Sequence, residues 1–123
     1  MLDLSVIILT YNEEIHIRRC LENVKQFASK VYVVDCFSID RTAQIAKELG
    51  AEVIEHEWPG NQAEQFNWAL DNLPITTEWI LRLDADEYLL PGLIEELLEK
   101  LPVIPESVSA LSLSLARAFC GKI

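Results

Sequence analysis

The chain is poor in the residues that would commit it to a specialised scaffold. Cys20, Cys36 and Cys120 are its only cysteines, widely spaced and without a C-x-x-C pair, which argues against a disulfide framework or a structural zinc site and for a reducing compartment. Cationic residues are scarce: ten Lys and Arg stand against twenty Asp and Glu, a formal charge of −10. That balance disfavours the phosphate-backbone attraction on which nucleic-acid binders rely, so no nucleic-acid partner is expected. A small anionic ligand stays compatible if a divalent cation or helix N-termini neutralise it locally. No apolar stretch reaches membrane-spanning length, and Val6-Ile7-Ile8-Leu9 is too short, with no basic region before it, for a signal-peptide core. The expectation is a soluble, cytoplasmic chain. Ser-His-Asp and Cys-His arrangements and a Gly-rich phosphate loop are also missing from the pattern.

What is present is a core. Half of the 123 residues are hydrophobic, enough for one domain. Leu4 to Leu9 predicts a strand buried on both faces, and Glu13 to about Phe27 a helix with Ile17, Cys20, Leu21 and Val24 on one stripe and Asn12 as its cap. Val31 to Val34 reads as a second strand. A helix from Arg41 to Leu49 follows, buried through Ile45, Ala46 and Leu49, capped by Asp40 and stopped by Gly50. Ala51 to Ile54 is a third strand, and Trp58-Pro59-Gly60-Asn61 breaks the chain. Ala63, Phe66, Leu70 and Leu73 mark a helix that ends before Pro74. Trp79 to Leu83 is a fourth strand, and Pro91 opens a last helix with Leu93, Ile94, Leu97, Leu98 and Leu101 on one face. The alternation predicts an α/β fold, a mostly parallel sheet with helices on both faces. Ser109 to Ala116 alternates Ser with apolar residues like a half-buried strand, and the absence of a terminal cap or polar tail suggests a domain incomplete at its C-terminus.

In such a sheet, ligands bind outside the carboxyl ends of the strands. Three polar clusters fall there: Thr10-Tyr11-Asn12-Glu13, Asp35-Cys36-Phe37-Ser38 and Asp84-Ala85-Asp86-Glu87. Asp84 and Asp86 suit a hard divalent ion such as Mg²⁺ or Mn²⁺, or else form a polar loop before the last helix. Asn12 and Glu13 fit a helix cap with an acidic first turn equally well. Asp35, ending an apolar strand, needs a donor, a cation or solvent. Ser38 and Asp40 read as helix-start residues, His16 and His56 as surface histidines, Cys36 as a small buried residue, and Trp58, Trp68 and Trp79 as packing residues.

Ser5 to Glu14, Val33-Val34-Asp35 with Ser38, Asp40 and Thr42, and Leu83-Asp84-Ala85-Asp86-Glu87 together resemble the family 2 glycosyltransferases of the GT-A (Rossmann-like) fold, over about residues 4 to 101. His56-Glu57-Trp58-Pro59-Gly60-Asn61 and Asn67-Trp68-Ala69-Leu70 look most like bacterial members that build lipopolysaccharide core or other surface glycans. The resemblance implies a nucleotide-sugar donor such as a UDP-sugar, its base near Thr10, Tyr11, Glu13 and Asp35, with Asp84 near the ribose and metal and Asp86 coordinating Mg²⁺ or Mn²⁺. It also implies inverting transfer to a glycan or lipid-linked acceptor, at the inner face of the membrane by peripheral association. By the same resemblance the general base is expected beyond the metal motif, in sequence outside this chain, so that the chain alone would bind donor without turnover. The sequence departs from the family pattern twice: Cys36 stands where a second Asp is common, and Phe66 where many members have Arg or Lys. A non-catalytic nucleotide-sugar binder and a metal-dependent nucleotidyltransferase are the competing readings.

Overall fold

The computed structural model describes residues 2–103, together with the backbone of two short strands near the C-terminus. In order these form β1 (Leu2–Thr10), α1 (Ile17–Val24), β2 (Ala28–Asp35), α2 (Thr42–Glu48), β3 (Glu52–Glu55), α3 (Gln62–Asn72), β4 (Trp79–Asp84), α4 (Pro91–Lys100), a single 3₁₀ turn (Leu101–Val103), β5 (Ala110–Ser112) and β6 (Phe119–Lys122). They assemble into one sheet of order β3-β2-β1-β4-β6-β5. The β3-β2-β1-β4 part is parallel, whereas β6 runs antiparallel to both β4 and β5. The expected mostly parallel α/β sheet is therefore present. The expected strand from Ser109 to Ala116 corresponds to β5 over Ala110–Ser112, and its remaining positions lie outside the described residues.

Period-two alternation divides the side chains of the central strands between two cores. Leu4, Val6 and Ile8 of β1 join Val33, Leu81 and Leu83 beneath α1, α2 and α4, whose Ile17, Leu21, Ile45, Ile94 and Leu97 close the larger cluster. Ile7 and Leu9 face the other way and pack with Tyr32, Val34 and Ile80 under Ala69 of α3. Burial on both faces explains the uninterrupted β-branched run in β1. Each such side chain contributes roughly 1.5–3 kcal/mol relative to exposure.

Two helix boundaries differ from the sequence expectation. Helix α1 starts at Ile17 rather than Glu13, because Asn12 takes a left-handed conformation (φ 53°) and Glu13 to His16 forms a separate turn, with the His16 and Ile17 amides donating to the Glu13 carbonyl at 3.0 and 2.8 Å. Asn12 does not cap α1: its Oδ1 accepts from the Ile39 amide at 2.9 Å. The start of helix α2 lies one residue later than expected: its N-cap is Arg41, which makes no side-chain capping bond, rather than Asp40. Asp40 Oδ1 accepts from the Thr42 amide at 2.9 Å, and Gly50 (φ 89°) closes it as the Ala51 amide reaches back to the Ala46 carbonyl at 3.1 Å.

The buried stripe of α3 is also rotated from its expected phase. Gln65 and Ala69 are buried, Phe66, Trp68 and Leu73 partly so, and Ala63 and Leu70 are exposed. The cause is polar: Gln65 Oε1 lies 2.7 Å from His56 Nδ1, and Trp68 stacks on the His56 ring with centroids 3.7 Å apart. His56 is thus a half-buried packing residue rather than a surface one.

Candidate functional site

The parallel register brings three strand ends to one level. Thr10 pairs with Asp35, and Leu9 with Asp84, so the polar clusters predicted for the carboxyl rim converge. Between them and α3 lies a cleft of ≈ 270 Å³. Thr10, Tyr11 and Glu13 form one side, Cys36 and Trp58 another, Gln62 and Gln65 of α3 a third, and Asp84, Ala85 and Asp86 the end of β4. Five of the six residues expected at a donor site, Thr10, Tyr11, Glu13, Asp84 and Asp86, line this one space.

Asp35 stands behind the wall. It is 1% exposed, and both carboxylate oxygens accept hydrogen bonds: Oδ1 from the Thr10 hydroxyl at 2.7 Å and the Ser38 hydroxyl at 2.5 Å, Oδ2 from the Ser38 amide at 2.8 Å. A buried carboxylate with this many donors is compensated for its lost hydration. Its contacts tie the loop after β1 to the loop after β2.

That tie continues outward from Asp35. The Asn12 amide donates to Ser38 Oγ at 2.8 Å, the Glu13 amide to Thr42 Oγ1 at 2.8 Å and the Glu14 amide to Asp40 Oδ2 at 3.2 Å. Burial alone would push the Asp40 carboxyl up, but the hydrogen bonds from the Thr42 hydroxyl and amide and from the Glu14 amide outweigh it and hold the carboxyl below its ordinary value. Ser38 and Asp40 therefore act in loop bridging as well as at the start of α2.

The Asp84–Glu87 turn is clasped from below. Glu87, only 8% exposed, accepts from the Asp84 amide at 2.9 Å while its own amide donates to the Asp84 carbonyl at 2.9 Å. Arg19 of α1 donates to the Asp86 carbonyl at 3.3 Å and lies over the Tyr88 ring at 4.6 Å. Cys20 lies beneath the same turn. Burial, then the nearby Glu87 charge, raises its pKa to about 12, so it remains a thiol. With its backbone held, the turn leaves Asp84 half-buried and Asp86 exposed.

Two carboxylates are a sparse donor set for a cation, and no group of three or more His, Cys, Asp or Glu side chains among the described residues could hold one. This fits an ion that takes its remaining ligands from a substrate phosphate and water, the usual habit of Mg²⁺, rather than one caged by protein. Residue-by-residue reading missed Gln62 and Gln65, placed Glu87 on the rim without its bond to Asp84, and assigned Cys36 to the interior. The signal for Glu87 was its position three residues after Asp84, which allows a reciprocal turn. The signal for Gln65 was its place one helical turn before Ala69. Cys36 is partly exposed on the cleft, with its thiol pKa raised by burial and then by the Asp35 charge.

The fold has clear counterparts. A mannosyltransferase from Pyrobaculum calidifontis, solved with GDP-Man and Mn²⁺, superposes with a TM-score of 0.78 at 20% identity, covering 98% of this chain and 44% of that one. Glucosyl-3-phosphoglycerate synthase from Mycobacterium tuberculosis, solved with Mn²⁺, UDP and glucosyl-3-phosphoglycerate, gives a TM-score of 0.66 at 18% identity over 87% of this chain and 42% of that one. These likenesses establish the GT-A fold. In sequence, an uncharacterized glycosyltransferase of Rickettsia typhi is 38% identical over 97 residues, 79% of this chain and 32% of the relative. The chain thus spans about a third of the length of that relative. Glycosyltransferase SunS of Bacillus subtilis is 32% identical over 81 residues, 64% of this chain and 19% of SunS. The family model for glycosyl transferase family 2 matches residues 5–114, a span that contains every rim cluster, and on that match the chain belongs to glycosyl transferase family 2.

Proposed function

We propose that the cleft binds the nucleoside diphosphate part of a nucleotide-sugar, such as a UDP-sugar, and that the protein transfers the sugar to a glycan or lipid-linked acceptor in bacterial surface-polysaccharide synthesis, on the cytoplasmic side of the membrane. The observation that carries the proposal is the placement of Asp84 and Asp86 in one cleft with Thr10, Tyr11 and Glu13. The neighbours solved with GDP-Man or UDP and a divalent ion support this choice of ligand.

In this reading Asp84 and Asp86 hold Mg²⁺ or Mn²⁺. When bound, that ion supplies Lewis acidity toward the departing diphosphate. Tyr11, half exposed on the cleft wall, offers the nucleobase an aromatic face, and Thr10 and Glu13 offer it polar contacts. Asp35 fixes the Thr10 hydroxyl and the paired loops, so its contribution to donor binding is positional. Cys36, partly exposed on the cleft, replaces a carboxylate acceptor with a weak one, which relaxes selection for the base. For inverting transfer, a carboxylate must take the acceptor hydroxyl's proton on the face opposite the leaving group. Glu95, Glu96 and Glu99 lie on the exposed side of α4 and are not assigned that task.

Calorimetric titration of UDP-sugar and GDP-sugar with Mn²⁺ tests the reading. Asp86→Ala should abolish the Mn²⁺-dependent part of binding while shifting stability by less than about 0.5 kcal/mol, because Asp86 is exposed. Equal Mn²⁺-dependent affinity in both proteins would remove the metal role.

A further inference from the structure

The two sides of the cleft differ in chemistry. Asp84, Asp86 and Glu13 are acidic, and no Lys or Arg is among the described residues that line it. Six backbone donors of the paired loops are already engaged: the amides of Asn12, Glu13, Glu14, Ser38, Ile39 and Thr42 each donate to a side chain of those loops. Donors for an anion in this cleft must come from groups other than these six amides.

Helix α3 provides them. Arg82, on β4 two residues before Asp84, donates from Nη2 to Gln62 Oε1 at 2.8 Å, and its guanidinium lies over the Phe66 ring at 5.6 Å. Arginine has only donors, so the Gln62 atom that faces it is the amide oxygen. The amide is planar, which turns the NH₂ group away from Arg82. Gln62 itself forms part of the cleft wall. The guanidinium thus fixes which end of the amide is presented and sets a permanent positive charge directly behind it.

We propose that Gln62 binds the diphosphate of the donor through its NH₂ group, and that Arg82, stacked on Phe66, is the positioning residue that orients this amide and supplies the charge behind it. The proposal rests on the nucleotide-sugar reading and assigns that site a second, metal-independent diphosphate contact opposite Asp84 and Asp86. Phe66 takes part as the apolar platform that keeps the guanidinium in place.

NMR titration in the presence of Mg²⁺ compares UDP with uridine, and GDP with guanosine, in the wild type and in Gln62→Glu, Arg82→Met and Arg82→Lys. Gln62→Glu keeps a partner for Arg82 and replaces a donor with a carboxylate. It should weaken the diphosphates about tenfold, leave the nucleosides unchanged and melt like the wild type. Arg82→Met should lose several-fold for the diphosphates, with Arg82→Lys in between. If Gln62→Glu binds the diphosphates as tightly as the wild type, or weakens nucleosides and diphosphates equally, the inference is overturned, and this variant decides the question even if Arg82→Met fails to fold. If the wild type itself binds neither nucleotide, the nucleotide-sugar reading fails, and this inference fails with it.

Discussion

The two faces of the sheet are built differently. Beneath α1, α2 and α4 lies the larger apolar cluster, running from Leu4 through Leu81 to Leu97, with the buried polar groups Thr10, Asp35, Thr42 and Glu87 gathered at its rim. Beneath α3 the apolar cluster is small, and polar pairs surround it: Ser5 with Thr77 at 2.7 Å, Gln65 with His56 and Arg82 with Gln62. Hydrophobic burial carries the first face. The second gives up some of it to polar pairs, two of which hold the cleft-lining Gln65 and Gln62 in fixed orientations, a trade that hydrogen-bond networks make for specificity of structure.

Neighbouring residues of β4 test this difference most directly. Leu81 and Ile80 are 0% and 6% exposed and belong to opposite clusters. Leu81→Ala should cost about 2–5 kcal/mol in urea unfolding, and Ile80→Ala should fall near the lower end of that range, because a smaller cluster can collapse around the lost volume. Equal losses would mean that the two faces are packed alike. Asp35→Asn should have a smaller effect, about 1–3 kcal/mol, since an amide nitrogen would then confront the donors of Thr10 and Ser38. Its distinguishing sign would be loss of nucleotide affinity with the β4 turn intact, measured by thermal melts and titration together. Asp40 should have the smallest effect. Because its folded pKa lies below the ordinary 3.8, its contribution is present above that value and fades as pH falls through the folded pKa. Asp40→Asn should therefore narrow the stability gap to wild type only below about pH 4, in a series of acid melts.

Much of this could be read from residue order. The β-branched runs located the four parallel strands, since only burial on both faces explains an unbroken Val6-Ile7-Ile8-Leu9, and topology then placed the three polar clusters on one rim. What escaped the sequence depended on contacts between distant segments. Asn12 looks like a helix cap until Ile39, 27 positions away, proves to be its partner. Gln65 breaks an apolar stripe unless His56 is known to face it. Asp35 looks like a ligand contact because its sequence position shows a buried strand end but not the Thr10 and Ser38 donors that meet it there. Periodicity reports which side of an element is apolar; it carries no information about which polar groups find one another across a loop.

The bonds between the first two loops also have a dynamic consequence. Six consecutive or near-consecutive amides there are held by side chains of the opposite loop or of their own, not by a strand or helix ladder. Breaking the Asp35 link would release several at once, so these amides should exchange with solvent deuterium as one cooperative group with a common opening free energy. A ligand resting on Tyr11 alone would then slow exchange as far away as Thr42, giving the cleft a reporter that lies on a helix it does not touch.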